Sequence, residues 1–128
     1  MTRFWVACAA MAVTAGMAAA DPLEGTWQTE PDEGAFAHID IGPCGANFCG
    51  TIARTFKDGG EYKSPNLGKT LVIDMAPQGS GKYEGKVWRP SNDKIYLGKI
   101  ALNGDSIRLR GCVAGGLICS KQTWARVK

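Results

Sequence analysis

The sequence predicts an all-β domain: eight short antiparallel strands, joined in order as an up-and-down barrel. Three observations lead there. Segments rich in β-branched and aromatic side chains recur between clusters of Gly, Pro, Asn and Asp. No segment carries the apolar stripe of a helix. The links between segments are short, which favours a meander closed on itself over a sandwich.

The chain of 128 residues opens with a segment of a different kind. Arg3 is followed by an apolar run over 4–13 and by the small residues Gly16-Met17-Ala18-Ala19-Ala20. This is the order of charged region, apolar region and cleavage site in a secretory signal peptide. Residues 1–20 are therefore read as a signal peptide and residues 21–128 as a single domain, delivered to the periplasm or secreted. The apolar run is shorter than the roughly 20 residues that a bilayer span requires, so no membrane span is expected. Cys8 makes a poor lipoprotein site, because Trp5-Val6-Ala7 precede it. Without Arg3 the balance is 14 Lys and Arg against 12 Asp and Glu. No basic cluster stands out in the chain, which argues against nucleic acid as a partner.

The expected strands are 25–29, 36–41, 48–56, 70–76, 82–88, 94–102, 106–112 and 122–127. The clearest alternation sets Ile107 and Leu109 against Arg108 and Arg110, and Ile100 and Leu102 against Lys99 and Ala101, as a half-buried antiparallel strand requires. Ile95-Tyr96-Leu97 is apolar on both faces and fits this pattern less well. Asn103-Gly104 signals a hairpin, since a type I′ turn needs positive φ at both central positions. The longest link, 57–69, holds Gly59-Gly60, Pro65 and Gly68 and is the expected lid or mouth loop.

Beyond Cys8, four cysteines fall in two local pairs, Cys44 with Cys49 and Cys112 with Cys119. An even count in an exported chain reads as disulfides, with three connectivities open. The two local bridges are our assignment; chain-entropy arithmetic makes each short loop worth about 2–2.5 kcal/mol. The alternative is a four-cysteine zinc site. Its ligand pairs usually have two to four residues between them, and Cys112 and Cys119 exceed that spacing.

Several motifs resemble one bacterial family. They are Gly25-Thr26-Trp27-Gln28-Thr29, the stretch from Cys44-Gly45 to Phe48-Cys49-Gly50-Thr51-Ile52, and the ending from Gly111-Cys112 to Gln122-Thr123-Trp124-Ala125-Arg126. Tyr83-Glu84-Gly85-Lys86-Val87-Trp88, Pro90 and Lys94-Ile95-Tyr96 add to them. Together they resemble the exported proteins grouped as domain of unknown function 2147. The resemblance implies a lipocalin-like barrel with no established activity. It also implies barrel closure by Trp27, Trp124 and Arg126, since such barrels set a basic residue of the last strand against a Gly-x-Trp of the first. A guanidinium over an indole contributes about 0.5–2 kcal/mol. The sequence departs from the family after Phe56, where Ser64-Pro65-Asn66-Leu67 replaces an Asn-Pro order; a different specificity would follow if that loop shapes a site.

Candidate chemistry is sparse. His38 is the only histidine, with Asp40 on the same strand face to orient it, but no nucleophile motif such as Gly-x-Ser-x-Gly accompanies it. Catalysis is not expected, and neither a cofactor nor a metal is implied. Glu30, Asp32 and Glu33 form an acidic turn that reads as solvated rather than as a calcium loop, because it lacks the ordered ligands of an EF-hand. The tryptophans and tyrosines, Trp88 and Tyr96 among them, either line a cavity or fill it. Alternation places Arg54 on the face of Phe48, Ile52 and Phe56, so it either anchors a carboxylated ligand or snorkels to the mouth. The reading is a non-enzymatic binder of a small apolar or amphipathic ligand, with Arg54, Tyr96 and Trp88 as candidate contacts. The alternative is an interaction or inhibitor module for an envelope or extracellular protein. It would act through disulfide-pinned loops, Leu117 and Ile118 being unusual for solvent.

Overall fold

A computed structural model describes residues 20–128; the expected signal segment lies outside the described residues except for Ala20. The strands are β1 (Gly25–Gln28), β2 (Ala35–Cys44), β3 (Asn47–Lys57), β4 (Gly60–Tyr62), β5 (Thr70–Gly79), β6 (Lys82–Arg89), β7 (Lys94–Asn103), β8 (Ser106–Val113) and β9 (Ile118–Arg126). All but β4 form a closed antiparallel barrel in which each strand pairs with its neighbours in sequence, the ring closing between β1 and β9. The eight expected strands are thus present, most of them longer by one to three residues. The last begins at Ile118 rather than 122, because Cys112 and Cys119 are direct cross-strand partners and pairing starts beside their disulfide.

The 57–69 link is not a free lid. β4 runs against Thr55–Lys57 of β3, the length of that edge which β5 leaves unpaired. The Thr55 hydroxyl donates to the Tyr62 carbonyl at 2.6 Å, and the Gly68 N–H donates to the Ile52 carbonyl at 2.8 Å. The link is strapped along β3 because these backbone groups need partners.

The disulfides Cys44–Cys49 and Cys112–Cys119 sit at opposite ends of the barrel, so the four cysteines cannot share a zinc ion. The end that holds the Cys44–Cys49 bridge is filled. Leu23, Trp27, Ile39, Val72, Met75 and Ile107 are fully buried there. Gly98 makes room for this packing: a Cβ on it would lie 2.7 Å from the Met75 methyl carbon. The segment before β1 folds across this end as a plug. Trp27 donates its indole N–H to the Leu23 carbonyl at 2.9 Å, and the Tyr83 hydroxyl donates to the Asp21 carboxylate at 2.6 Å. Burial and that carboxylate push the Tyr83 phenol above its ordinary range.

Arg126 ties the plug to the closure. Its guanidinium lies 4.3 Å from the Trp27 ring centre and donates to the Pro22 carbonyl at 2.7 Å, the Glu24 carbonyl at 3.1 Å and Asp105 at 2.8 Å. Arg126→Ala loses the stacking and leaves two carbonyls short of a donor, so it should destabilise the fold by about 2–4 kcal/mol in urea unfolding. Arg126→Lys should recover only part of that, since an ammonium cannot span the same acceptors. Equal stability of wild type and Arg126→Ala would remove the closure role.

Candidate functional site

The other half of the barrel is hollow. A cavity of about 600 Å³ opens at the end where β2, β5, β7 and β9 begin. Its floor is apolar: Ala37, Ile52, Leu71, Val87, Leu109 and Trp124. Its upper wall carries Thr55, Ser64, Tyr96, Ser120 and Gln122, and its rim Asp32, Arg89 and Ser91. Trp124 caps the filled half below by donating its indole N–H to Gln122 Oε1 at 2.7 Å. Gly111 faces the cavity and is what keeps this wall open; a Cβ there would make only ordinary contacts, 3.6 Å from Tyr96 and Val87.

The mouth is crossed by a strut. Arg89 ends β6, and its guanidinium binds both carboxylate oxygens of Asp32 at 2.8 Å, with the Ser91 hydroxyl at 3.3 Å. Asp32 belongs to the β1–β2 turn, three strands away around the barrel, so the pair draws that turn over the opening. Glu30 fixes the turn's other flank by accepting the Thr123 N–H at 2.5 Å. The acidic turn read as solvated therefore covers the mouth, while the 57–69 link, strapped along β3, contributes Tyr62, Ser64 and Asn66 to the wall of the cavity. Glu30 and Asp32 are committed to these donors, and among the described residues no group of three or more His, Cys, Asp or Glu side chains is placed to hold a metal ion.

Tyr96 and Trp88 both line the cavity. The Tyr96 hydroxyl accepts from Asn92 at 2.8 Å, and Trp88 donates to Asp93 at 2.8 Å. Arg54 does not join them. β3 holds one residue more than β2 at this point, Ile52 pairing with Ile39 and Arg54 with His38, so Ala53 is a bulge. A bulge reverses the alternation. Thr55 consequently turns inward and Arg54 outward, where it binds Glu61 at 2.6 Å and lies 5.4 Å from the Phe56 ring centre. The expectation that Arg54 shares a face with Phe48 and Ile52 is corrected on this ground. His38 lies on the same outer face, against Phe56 and 3.0 Å from Gln28 Oε1; burial and the Arg54 charge lower its pKa. Asp40 accepts from Thr26 instead of orienting the histidine. Arg89 escaped the sequence reading, although the period of two from Val87 places it inward at the strand end.

The sequence profile of a family described as "Uncharacterized protein conserved in bacteria (DUF2147)" matches residues 25–126. The chain belongs to this family. No curated protein is significantly similar in sequence. Among solved structures the chain is similar to protein HP1028 from the human pathogen Helicobacter pylori, described as belonging to the lipocalin family. The TM-score is 0.67 and the identity 18%, over 86% of this chain and 85% of that one. The barrel of this DUF2147 member is thus lipocalin-like in fold.

Arg89 holds the Asp32 carboxyl below its ordinary pKa of 3.8. A carboxylate with a depressed folded pKa adds stability that is present above its unfolded value and fades as pH falls through the folded one. The strut should therefore stay closed at every pH above about 4 and open only in stronger acid. An NMR titration should place Asp32 below 3.8, with Arg89→Ala returning it to the ordinary range. An unshifted wild-type Asp32 would show that the strut does not form in solution.

Proposed function

We propose that this protein is a non-enzymatic carrier or sensor of a small apolar or amphipathic molecule, held in the hollow half of the barrel. The cavity carries the reading. Its volume of about 600 Å³ lies inside the range of roughly 300–1,000 Å³ common to ligand pockets, and its apolar floor beneath a polar rim matches the usual division of such sites. The apolar part of the ligand would rest on Leu71, Val87, Leu109 and Trp124. Its polar end would reach Tyr96, Ser120 and Gln122, with Arg89 above. The likeness in fold to a lipocalin-family protein supports the same reading.

The reading includes a periplasmic or secreted location, with residues 1–20 removed as a signal peptide and residues 21–128 acting as one domain. The two disulfides support it, as oxidising compartments are where such bonds persist. A second reading, an interaction module working through its loops, is favoured by one observation: Leu117 is 86% and Ile118 64% exposed in the turn beside the Cys112–Cys119 bridge.

Native mass spectrometry of the protein purified from the periplasm tests the first reading. A co-purifying small molecule is expected. Gly111→Leu pushes a side chain into the cavity from a backbone that tolerates a Cβ, so it should release the bound molecule, with at least about a tenfold loss of affinity at unchanged thermal stability. An apo mass for wild type, together with no uptake of an apolar fluorescent probe, would leave the second reading.

A further inference from the structure

The turn between β8 and β9 and the strand faces beside it form a surface that the cavity does not explain. Four aliphatic side chains at the mouth are open to solvent: Ile95 on β7, Val113 on β8, and Leu117 and Ile118 at the β8–β9 turn. Val113 and Ile118 are direct cross-strand partners at the lip of the barrel, in register with the inward-facing Gly111 and Ser120, whereas Ile95 shares the outer face of Lys99. The turn is sharp and pinned. Ala114, Gly115 and Gly116 have φ of 54°, 68° and 96°, and the Cys112–Cys119 bridge closes its base. Leu117 is thus presented on a rigid tip.

Immediately beside the tip runs a row of cations. Lys99 of β7 pairs with Arg110 of β8, which pairs with Lys121 of β9; Lys121 also borders the cavity. Like charges directly opposite one another on neighbouring strands are destabilising, so the row has no account in the fold itself. The ion pairs among the described residues are Arg54–Glu61, Arg89–Asp32 and Arg126–Asp105, and none touches the row. Glu84 is the carboxylate in register with it, opposite Lys99 on β6, and it leaves Arg110 and Lys121 without one. Glu30 approaches β9 but is taken by the Thr123 N–H. The tip and the row are contiguous: a Cβ on Gly116 would lie 3.5 Å from both Leu97 Cδ2 and Lys99 Nζ.

We infer that this surface docks the protein on an anionic phospholipid bilayer. Exposed aliphatic side chains gain by entering the boundary between headgroups and acyl chains, while cations set slightly back from them meet lipid phosphates. The charge pattern selects this occupant. A second copy of the chain would bring its own cationic row against this one, and an electrically neutral apolar partner would leave the row unanswered. The tip stands at the end of the barrel where the cavity opens, but none of its residues lines the cavity, so the docking does not depend on the ligand-binding reading.

Vesicle co-sedimentation tests it. The purified protein should pellet with vesicles of phosphatidylglycerol and phosphatidylethanolamine, and not with phosphatidylcholine alone. About 0.5 M salt should release it, because screening removes the cation–phosphate attraction. Leu117→Ser with Ile118→Ser, and separately Arg110→Gln with Lys121→Gln, should each weaken partitioning by on the order of tenfold or more, with thermal unfolding unchanged. Gly111→Leu should leave partitioning as it is, which separates failure of docking from failure of the cavity reading. Any of three results would overturn the inference: no pelleting with anionic vesicles, pelleting that neither double variant alters, or a dimer in sedimentation velocity that Leu117→Ser dissolves.

Discussion

The structure depends on how little of β1 there is. β1 runs over Gly25–Gln28, and it meets β9 at two register pairs, Trp27 with Arg126 and Gln28 with Ala125. A barrel closed by so short a seam needs reinforcement. Arg126 supplies it by stacking on Trp27 and donating to the plug carbonyls of Pro22 and Glu24. The shortness also sets the shape. β9 extends back to Ile118, so beyond the seam it has no β1 partner, and the Thr123 N–H turns to the Glu30 carboxylate. Where β1 runs, the barrel is solid; where it stops, the mouth begins. The cavity is a consequence of the closure rather than a separate feature.

Glycine at inward positions has opposite effects in the two halves. Beside Gly50 and Gly98 large neighbours advance into the vacated space: Cβ atoms there would meet Ile39 at 2.8 Å and Met75 at 2.7 Å. Nothing advances on Gly111, and the space becomes cavity. The difference lies in what surrounds each glycine. Gly50 and Gly98 face Ile39, Val72 and Met75, which are packed from several strands at once. Gly111 faces Tyr96 and Val87 on one side and the polar Ser120 and Gln122 on the other, and those two cannot fill an apolar gap without losing contact with water.

The eight barrel strands and both disulfides were legible in the sequence, because alternation and short cysteine loops are local signals. The direction of Arg54 was not. It hinges on a single bulge at Ala53, which is set by pairing between β2 and β3 and reverses every side chain after it. The cover of the mouth was hidden for a related reason: Asp32 and Arg89 are 57 positions apart and meet only once the ring is closed. The cationic row was invisible in the same way. Lys99, Arg110 and Lys121 look scattered along the chain and become a row only in register.

The strut also bears on which ligands the cavity favours. Both oxygens of Asp32 occupy the Arg89 guanidinium at the rim of the mouth. An anionic headgroup would have to displace Asp32 and would leave that carboxylate beside a second negative charge, an arrangement in which like charges oppose one another. A neutral headgroup meets no such opposition, since Ser120, Gln122 and the Tyr96 hydroxyl offer donors and acceptors below the strut. On the proposed ligand-binding reading, selection would therefore run toward neutral amphiphiles with the strut closed, and an anionic one would have to displace Asp32. On that reading the chemistry of the ligand and the position of the turn would form one equilibrium, because the guanidinium offered to an anion is the one that holds the cover.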